Sequence, residues 1–265
     1  MSLPPRFTLS SILHGMAPVV REAGRIALRH FRKASSEQKS DRSLVSQADR
    51  EVERFLVREI QERYPEHAII GEEYGESGNA STDFQWAVDP IDGTSSYLSE
   101  MPVWAVSLGL LNEGRPVLGI VYAPFLDEFY EASEETGAVL NGKPLSVPRP
   151  GPIDDNSPLL AFSTAWKKMR LRFPGKVWAH GSTAVHVATV AKGTVLGAIC
   201  DPPRLWDIAA AEVIVRKAGG DLRFLSGQPM DTRRFTSKHK APEAVVAAHP
   251  VFIEDLLSRI EWIAQ

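Results

Sequence analysis

Cysteine is almost missing from the chain: 265 residues contain one, Cys200. A single thiol excludes an intramolecular disulfide and any zinc cluster built on several cysteines, and it fits a reducing compartment. Long hydrophobic runs are missing too. The longest candidate, Val103 to Leu111, is interrupted by Ser107 and is strand-sized, well short of the ~18 residues of a membrane span. A surplus of one charge is also absent, since 30 Lys and Arg against 33 Asp and Glu leave a formal charge of −3. Phosphate-backbone binding needs a basic face, so nucleic acid is not an expected partner, while a small phosphorylated ligand stays open. The first twenty residues carry one Arg, and their apolar residues are broken by Ser10, Ser11, His14 and Gly15, unlike a secretory leader. The expectation is a cytoplasmic protein with no membrane partner.

What is there is ordinary for a globular chain: 43% hydrophobic and 24% charged residues, enough to bury a large core. Apolar positions at Ile12, Met16, Val19, Val20, Ile26, Ala27 and Phe31 make a helical stripe over 9–32. Lys33 to Ser43 reads as a loop. A second helix runs from about Ser46, a suitable N-cap, to Tyr64. His67–Ile70 and Phe84–Val88 read as strands, with a loop over Gly75–Ser81 between them. From Val103 to Val147, strands separated by Asn112-Glu113-Gly114, Pro124 and Gly137 predict an antiparallel meander. Pro148-Arg149-Pro150-Gly151-Pro152 marks a boundary between a half at 1–147 and a half at 148–265. Strands and helices alternate after it, with helices over Ser182–Lys192, Trp206–Lys217 and Val251–Ile263. An α+β half therefore precedes an α/β half.

Four acidic elements carry chemical information. Asp89-Pro90-Ile91-Asp92-Gly93-Thr94 leaves a buried strand, and such a turn can aim two carboxylates and the Ile91 carbonyl at one point. Hard oxygen donors of this kind suit Mg²⁺, and the amides of Gly93 and Thr94 can face a phosphate. Asp-Pro and Asp-Gly are also common turn dipeptides. Gly71-Glu72-Glu73 closes another strand and matters only if it converges with Asp89 and Asp92. Asp207 and Asp49 each stand at a helix start, where a carboxylate also serves as a cap or dipole partner.

Taken in order, Val45-Ser46-Gln47-Ala48-Asp49, Gly71-Glu72-Glu73, Trp86 to Thr94, and Trp206-Asp207-Ile208-Ala209-Ala210-Ala211 resemble the inositol monophosphatase family of Mg²⁺-dependent, Li⁺-sensitive sugar phosphatases. The resemblance covers roughly residues 10–260. It implies a layered αβαβα sandwich with the site between the halves. It implies one metal on Glu72, Asp89 and the Ile91 carbonyl, a second on Asp89, Asp92 and Asp207, and a weaker third near Glu72. The sharing of Asp89 implies a spacing of ~3.5–4 Å between the first two. Asp49 and Thr94, with Glu72, are then expected to orient the attacking water and accept its proton. Lys39 stands where the family has a lysine. Dimers are common in the family, so a homodimer is expected.

The leaving-group side is less defined. The resemblance assigns phosphate and polyol contacts to Gly181, Ser182 and Thr183, at a helix start suited to anions, with Asp92, Gly93, Thr94, Asp207 and Ser163 beside them. The inositol enzymes carry a glutamate seven positions before the Trp-Asp aspartate. Cys200 stands there, with Asp201 one residue on and Arg204 following. Arg204 can pair a second phosphate or lie on the surface. The substrate is expected to be a phosphate monoester of a small polyol or sugar. Fructose-1,6-bisphosphate, adenosine bisphosphate (a 3′(2′),5′-bisphosphate nucleotidase activity) and histidinol phosphate are alternatives, as is a regulatory binding protein that keeps the fold. His180 and His186 are read as structural, Trp166 and Trp178 as core, and Lys167 to Arg172 as a solvated face.

Overall fold

The computed structural model describes residues 8–33, 36–38, 44–79 and 81–263; Lys39 lies outside them. Helix α1 (Leu9–His30) starts where the Thr8 side chain accepts from the Ser11 amide. It runs through Gly15, Pro18 and Gly24, because its buried stripe of Ile12, Met16, Val19, Val20, Ala23 and Ala27 outweighs local propensity. Part of the expected loop after it is a hairpin of β1 (Ser36–Gln38) and β2 (Leu44–Ser46). Helix α2 (Gln47–Arg63) follows.

The first sheet comprises β3 (Ala68–Gly71), β4 (Gly75–Gly78), β5 (Phe84–Asp92), β6 (Ala105–Asn112), β7 (Arg115–Ala123), β8 (Glu128–Ser133), β9 (Val139–Leu140) and β10 (Lys143–Pro144). Strands β6 to β10 form the predicted meander in chain order, β5 extends it antiparallel to β6, β3 lies parallel beside β5, and β4 is at the edge. The polar Gly75–Gly78 read as loop because β4 is an exposed edge strand, held by backbone pairing to β3 and not by an apolar pattern. The short helix α3 (Thr94–Leu98) leaves β5.

Residues 145–154 have no regular structure. The second sheet follows, in the order β13 (Lys176–Trp178), β11 (Pro158–Ala161), β14 (Gly197–Cys200), β16 (Val245–Ala248), β15 (Asp221–Phe224). Its first three strands are parallel, and β16 runs antiparallel between β14 and β15. Helices α4 (Ala165–Lys168), α5 (Thr183–Ala191), α6 (Leu205–Lys217) and α7 (Pro250–Ser258) complete the chain. The final helix stops earlier than its apolar residues suggest, and Ile260–Trp262 forms β17 against β12 (Met169–Leu171). The basic run is therefore partly a short helix and a paired strand.

Alternating side chains build the five layers, and the fold is the expected αβαβα sandwich. Leu118, Ile120 and Tyr122 of β7 meet α1 and α2. Val121 and Ala123 face the opposite way, into a core shared with α5, α6 and Leu160, Ala198, Val245 and Ala247 of the second sheet. Leu159, Ile199 and Val246 face outward to Phe252, Ile253 and Leu256 of α7. Trp166 and Trp178 are not in these cores. They are 74% and 46% exposed, since α4 is a short outer helix and β13 an edge strand.

Helix α6 lies directly on the first sheet. A Cβ on Gly119 would overlap the Ala210 carbonyl, and one on Gly109 would press on Ala209 and the Ala210 amide. Gly119→Ala is expected to cost about 1–3 kcal/mol, read as a lower midpoint of urea unfolding. An unchanged midpoint would mean that α6 can lift from the sheet.

Candidate functional site

The site forms where β5 ends. Side chains in a strand alternate faces, so Asp89 and Asp92, three apart, would point to opposite sides of a regular β5. The pairing of β5 with β6 shifts register between them: Asp89 faces Ser107, and the next pair is Asp92 with Ala105. Such an irregularity re-aims side chains and accommodates Pro90. Both aspartates are buried. Together with Asp207 they place carboxylate oxygens within 4.8 Å of one another.

Asp89 Oδ1 accepts from the Ile91 amide at 3.0 Å within β5; the other aspartates are held by helix starts. The Asp207 side chain, in the first turn of α6, accepts from the Arg204 amide at 2.8 Å, and Ser107 Oγ donates to the Trp206 carbonyl at 3.1 Å. Asp92 caps α5 from outside. It accepts from Ser182 Oγ, from the Ala184 amide at 2.7 Å and from the Thr183 amide at 3.2 Å. Asp49 Oδ2 accepts from the Ser46 amide at 2.8 Å and from Ser46 Oγ, in a capping box at the start of α2. Thr94 Oγ1 lies 3.3 Å from Asp49 Oδ1 and 3.2 Å from the Ile91 carbonyl oxygen. Gly93, at φ +95°, turns its Cα face onto Gly181 and Ser182, a conformation that disfavours any side chain.

Burial and crowding act together on the charges. Burial pushes the Asp89 carboxyl well above its ordinary range, reinforced by the charges of Glu72, Asp92, Asp207 and Asp49. Asp207 is raised by burial, then by Asp92 and Glu72. Asp92 is pushed up to about 6 by burial, against the lowering effect of Ser182, Ala184 and Thr183. The Cys200 thiol is raised by burial and then by Asp92, Asp207 and Asp201, which makes it a poor nucleophile. Hard oxygens, buried and mutually repelling, are the donor set that a small divalent cation satisfies. Glu72 follows β3, its amide donating to the Val88 carbonyl at 3.2 Å. It stands outside the 4.8 Å group but close enough for its charge to reach Asp89 and Asp207.

Around the opening, Ser163 is exposed at the end of β11. Asp201 follows β14. Its Oδ2 pairs with Lys168 Nζ at 2.6 Å, and its Oδ1 is buried with no hydrogen-bond partner. Lys168 was read as part of a solvated face, and the ion pair corrects that. Arg204 donates through Nη1 to the Lys238 carbonyl at 2.7 Å. Gly181 lies against Gly93, and the donors of this helix start, from Ser182, Thr183 and Ala184, go to Asp92. The structural role expected for the histidines fits the geometry: buried His186 accepts from the His180 amide at 2.9 Å, and burial pushes its imidazole down to about 4.

The sequence reading missed Glu53 and Lys168. Glu53 is fully buried on α2 and accepts from the amides of Glu73 and Tyr74. A charged residue inside the stripe of Val52, Leu56 and Ile60 was the available signal.

The family model described as the inositol monophosphatase family matches residues 9–261. An inositol-1-monophosphatase of Synechocystis is 36% identical over 200 residues, covering 71% of this chain and 69% of that protein. A fructose-1,6-bisphosphatase/inositol-1-monophosphatase of Aquifex aeolicus is 30% identical over 79% of this chain and 83% of its own length. The crystal structure of an extragenic suppressor protein SuhB from Bartonella henselae superposes with a TM-score of 0.82 at 25% identity, covering 94% of this chain and 98% of that one.

The raised aspartates set the sign of a pH effect. Between its ordinary and its raised pKa, such a group binds more protons folded than unfolded, so stability falls as pH rises. His186 and His67, both lowered to about 4 by burial, act oppositely, but only below pH ~6.5. Metal-free protein is therefore expected to melt lower at pH 8.5 than at pH 6.5. Mg²⁺ should raise the melting temperature more at pH 8.5, where fewer protons compete. An equal Mg²⁺ shift at both values would show that the cluster holds no extra proton.

Proposed function

Because the chain belongs to the inositol monophosphatase family, whose known members support a phosphatase, we propose that it hydrolyses a phosphate monoester of a small polyol or sugar with Mg²⁺. The observation that carries the reading is the convergence of Asp89, Asp92 and Asp207 within 4.8 Å. These three, with Glu72 and the Ile91 carbonyl, would hold the cations. Bound Mg²⁺ supplies positive charge for the ester oxygens and lowers the pKa of water.

The chain's own groups manage the proton and the orientation. Asp49 Oδ2 is engaged by Ser46, while Oδ1 is the oxygen that meets Thr94. Thr94 Oγ1 accepts a proton from the attacking water and passes its own to Asp49 Oδ1, with Glu72 orienting the water from the opposite side. A new P–O bond to the water oxygen forms as the bond to the substrate oxygen breaks, and the departing oxygen takes up a proton from solvent water to leave as the alcohol. Gly93 and the Gly181–Thr183 segment frame the phosphate.

On the leaving-group side we place Ser163, Asp201 and Arg204. Asp201 Oδ1, buried and lacking a donor, accepts from a substrate hydroxyl, while Lys168 holds the other oxygen in place. The Aquifex relative's name favours a bisphosphate as the second reading. In that case Arg204 must leave the Lys238 carbonyl to meet a second phosphate. A bisphosphate nucleotidase, a histidinol phosphatase and a regulatory partner-binding role are the remaining alternatives. Inhibition by Li⁺, a homodimer and a cytoplasmic location go with the family resemblance. No helix among the described residues is long and apolar enough to cross a membrane.

A panel of inositol-1-phosphate, fructose-1,6-bisphosphate, adenosine bisphosphate and histidinol phosphate with Mg²⁺ separates the substrates. Asp89→Asn is expected to abolish turnover of whichever is used and to remove the Mg²⁺ stabilisation. Its metal-free melting temperature should equal or exceed that of the wild type, because a repelling charge is gone. Near-normal turnover in this variant would sink the mechanism. Lys168→Met is expected to raise KM about tenfold, the scale of one charge-assisted hydrogen bond, with kcat little changed. An unchanged KM would remove Asp201 from the substrate site.

A further inference from the structure

Helix α2 carries two fully buried carboxylates one turn apart, Asp49 and Glu53, and residues at this spacing share a face. Asp49 meets Thr94. Glu53 faces the turn after β3. Its Oε2 accepts from the Glu73 amide at 2.8 Å, and its Oε1 accepts from the Tyr74 amide at 2.9 Å. A Cβ on Gly71 would collide with the Glu53 carboxylate, so a side chain there would push the carboxylate out. Gly71 and Glu53 are thus matched, one making the space that the other fills.

The residue between these anchors is Glu72. Its amide is fixed to the Val88 carbonyl, and the next two amides are fixed to Glu53, so the backbone on both sides of the Glu72 side chain is pinned. A buried carboxylate is costly unless hydrogen-bonded. Burying a second carboxylate on a helix that already buries Asp49 is an unfavourable choice for packing alone. An apolar residue would continue the stripe of Val52, Leu56 and Ile60 and leave two amides without their acceptor.

We propose that Glu53 is a positioning residue for Glu72: by holding the 72–74 backbone it aims the Glu72 carboxylate at Asp89 and thereby sets the affinity of the site for a divalent cation. The proposal rests on the reading of the site as a Mg²⁺ centre. Groups that orient metal ligands typically carry 10–100-fold in affinity. Glu53 touches neither substrate nor cation, and its effect passes through Glu72.

The test uses the whole chain and two measurements that need no turnover. The first is amide hydrogen exchange of metal-free protein, resolved at Glu73 and Tyr74. The second is Mg²⁺ affinity by calorimetry. Glu53→Ala is expected to speed exchange at both amides while leaving β6 and β7 protected, and to weaken Mg²⁺ binding at least about tenfold. Glu53→Gln keeps the size and one acceptor oxygen, guards against a misfolded alanine variant, and should fall between wild type and Glu53→Ala. Gly71→Ala, which displaces the carboxylate from the other side, should reproduce the loss of affinity with Glu53 intact. Faster exchange with unchanged Mg²⁺ affinity would overturn the proposal, leaving Glu53 a purely structural acceptor. Unchanged exchange in both Glu53 variants would overturn it as well. A wild-type protein that binds Mg²⁺ yet cleaves no phosphate ester would fail the functional reading alone, since neither measurement uses turnover.

Discussion

The structure is organised around burying like charges at one point. Three aspartates with oxygens within 4.8 Å repel one another and lose hydration, and each is offset by peptide amides. Asp89 accepts from the Ile91 amide of its own turn, Asp207 lies in the first turn of α6, and Asp92 caps α5; Asp49, whose charge reaches Asp89, lies in the first turn of α2. Helix starts present unpaired N–H groups and a partial positive charge. They must therefore all arrive at the end of β5. The five-layer arrangement meets that demand. The first sheet carries β5, α2 approaches from one face, and α5 and α6 lie between the sheets.

Close contact at the sheet surface serves the same end. Gly109 and Gly119 let α6 rest on the first sheet with its backbone nearly touching the strands, so Asp207 reaches the same depth as Asp89. The hydroxyl of Ser107, on the strand opposite Asp89, ties the Trp206 carbonyl to the sheet. The irregularity at Pro90 turns Asp92 to the same side. Charge placement thus follows from backbone spacing, with no long flexible side chain involved.

Much of this was legible in the sequence. The turn signals between Val103 and Val147 gave the meander from β6 to β10, the α1 stripe gave a helix despite Pro18, and the motifs singled out Asp89, Asp92, Asp207, Glu72, Asp49 and Thr94. What was hidden has physical reasons. The strands β1 and β4 are held by backbone pairing, which leaves no apolar pattern to read, and the apolar Ile260 and Trp262 of β17 fit the end of a helix as well as a short strand. Trp166 and Trp178 looked like core because large aromatic rings usually are, yet they sit on a short outer helix and an edge strand. Glu53 was hidden within an apolar stripe, and the Lys168–Asp201 pair joins residues 33 positions apart. The use of Ser182, Thr183 and Ala184 by Asp92 required the two halves to be seen together.

That last contact has a mechanical meaning. Asp92 belongs to the first half of the chain and α5 to the second, and three donors from α5 close on its two oxygens. The joint works as a rivet between the two sheets, placed at the reacting end rather than at the far edge. Sliding of one sheet over the other at this end would break three hydrogen bonds to a buried carboxylate at once, so the joint resists shear where the aspartates meet.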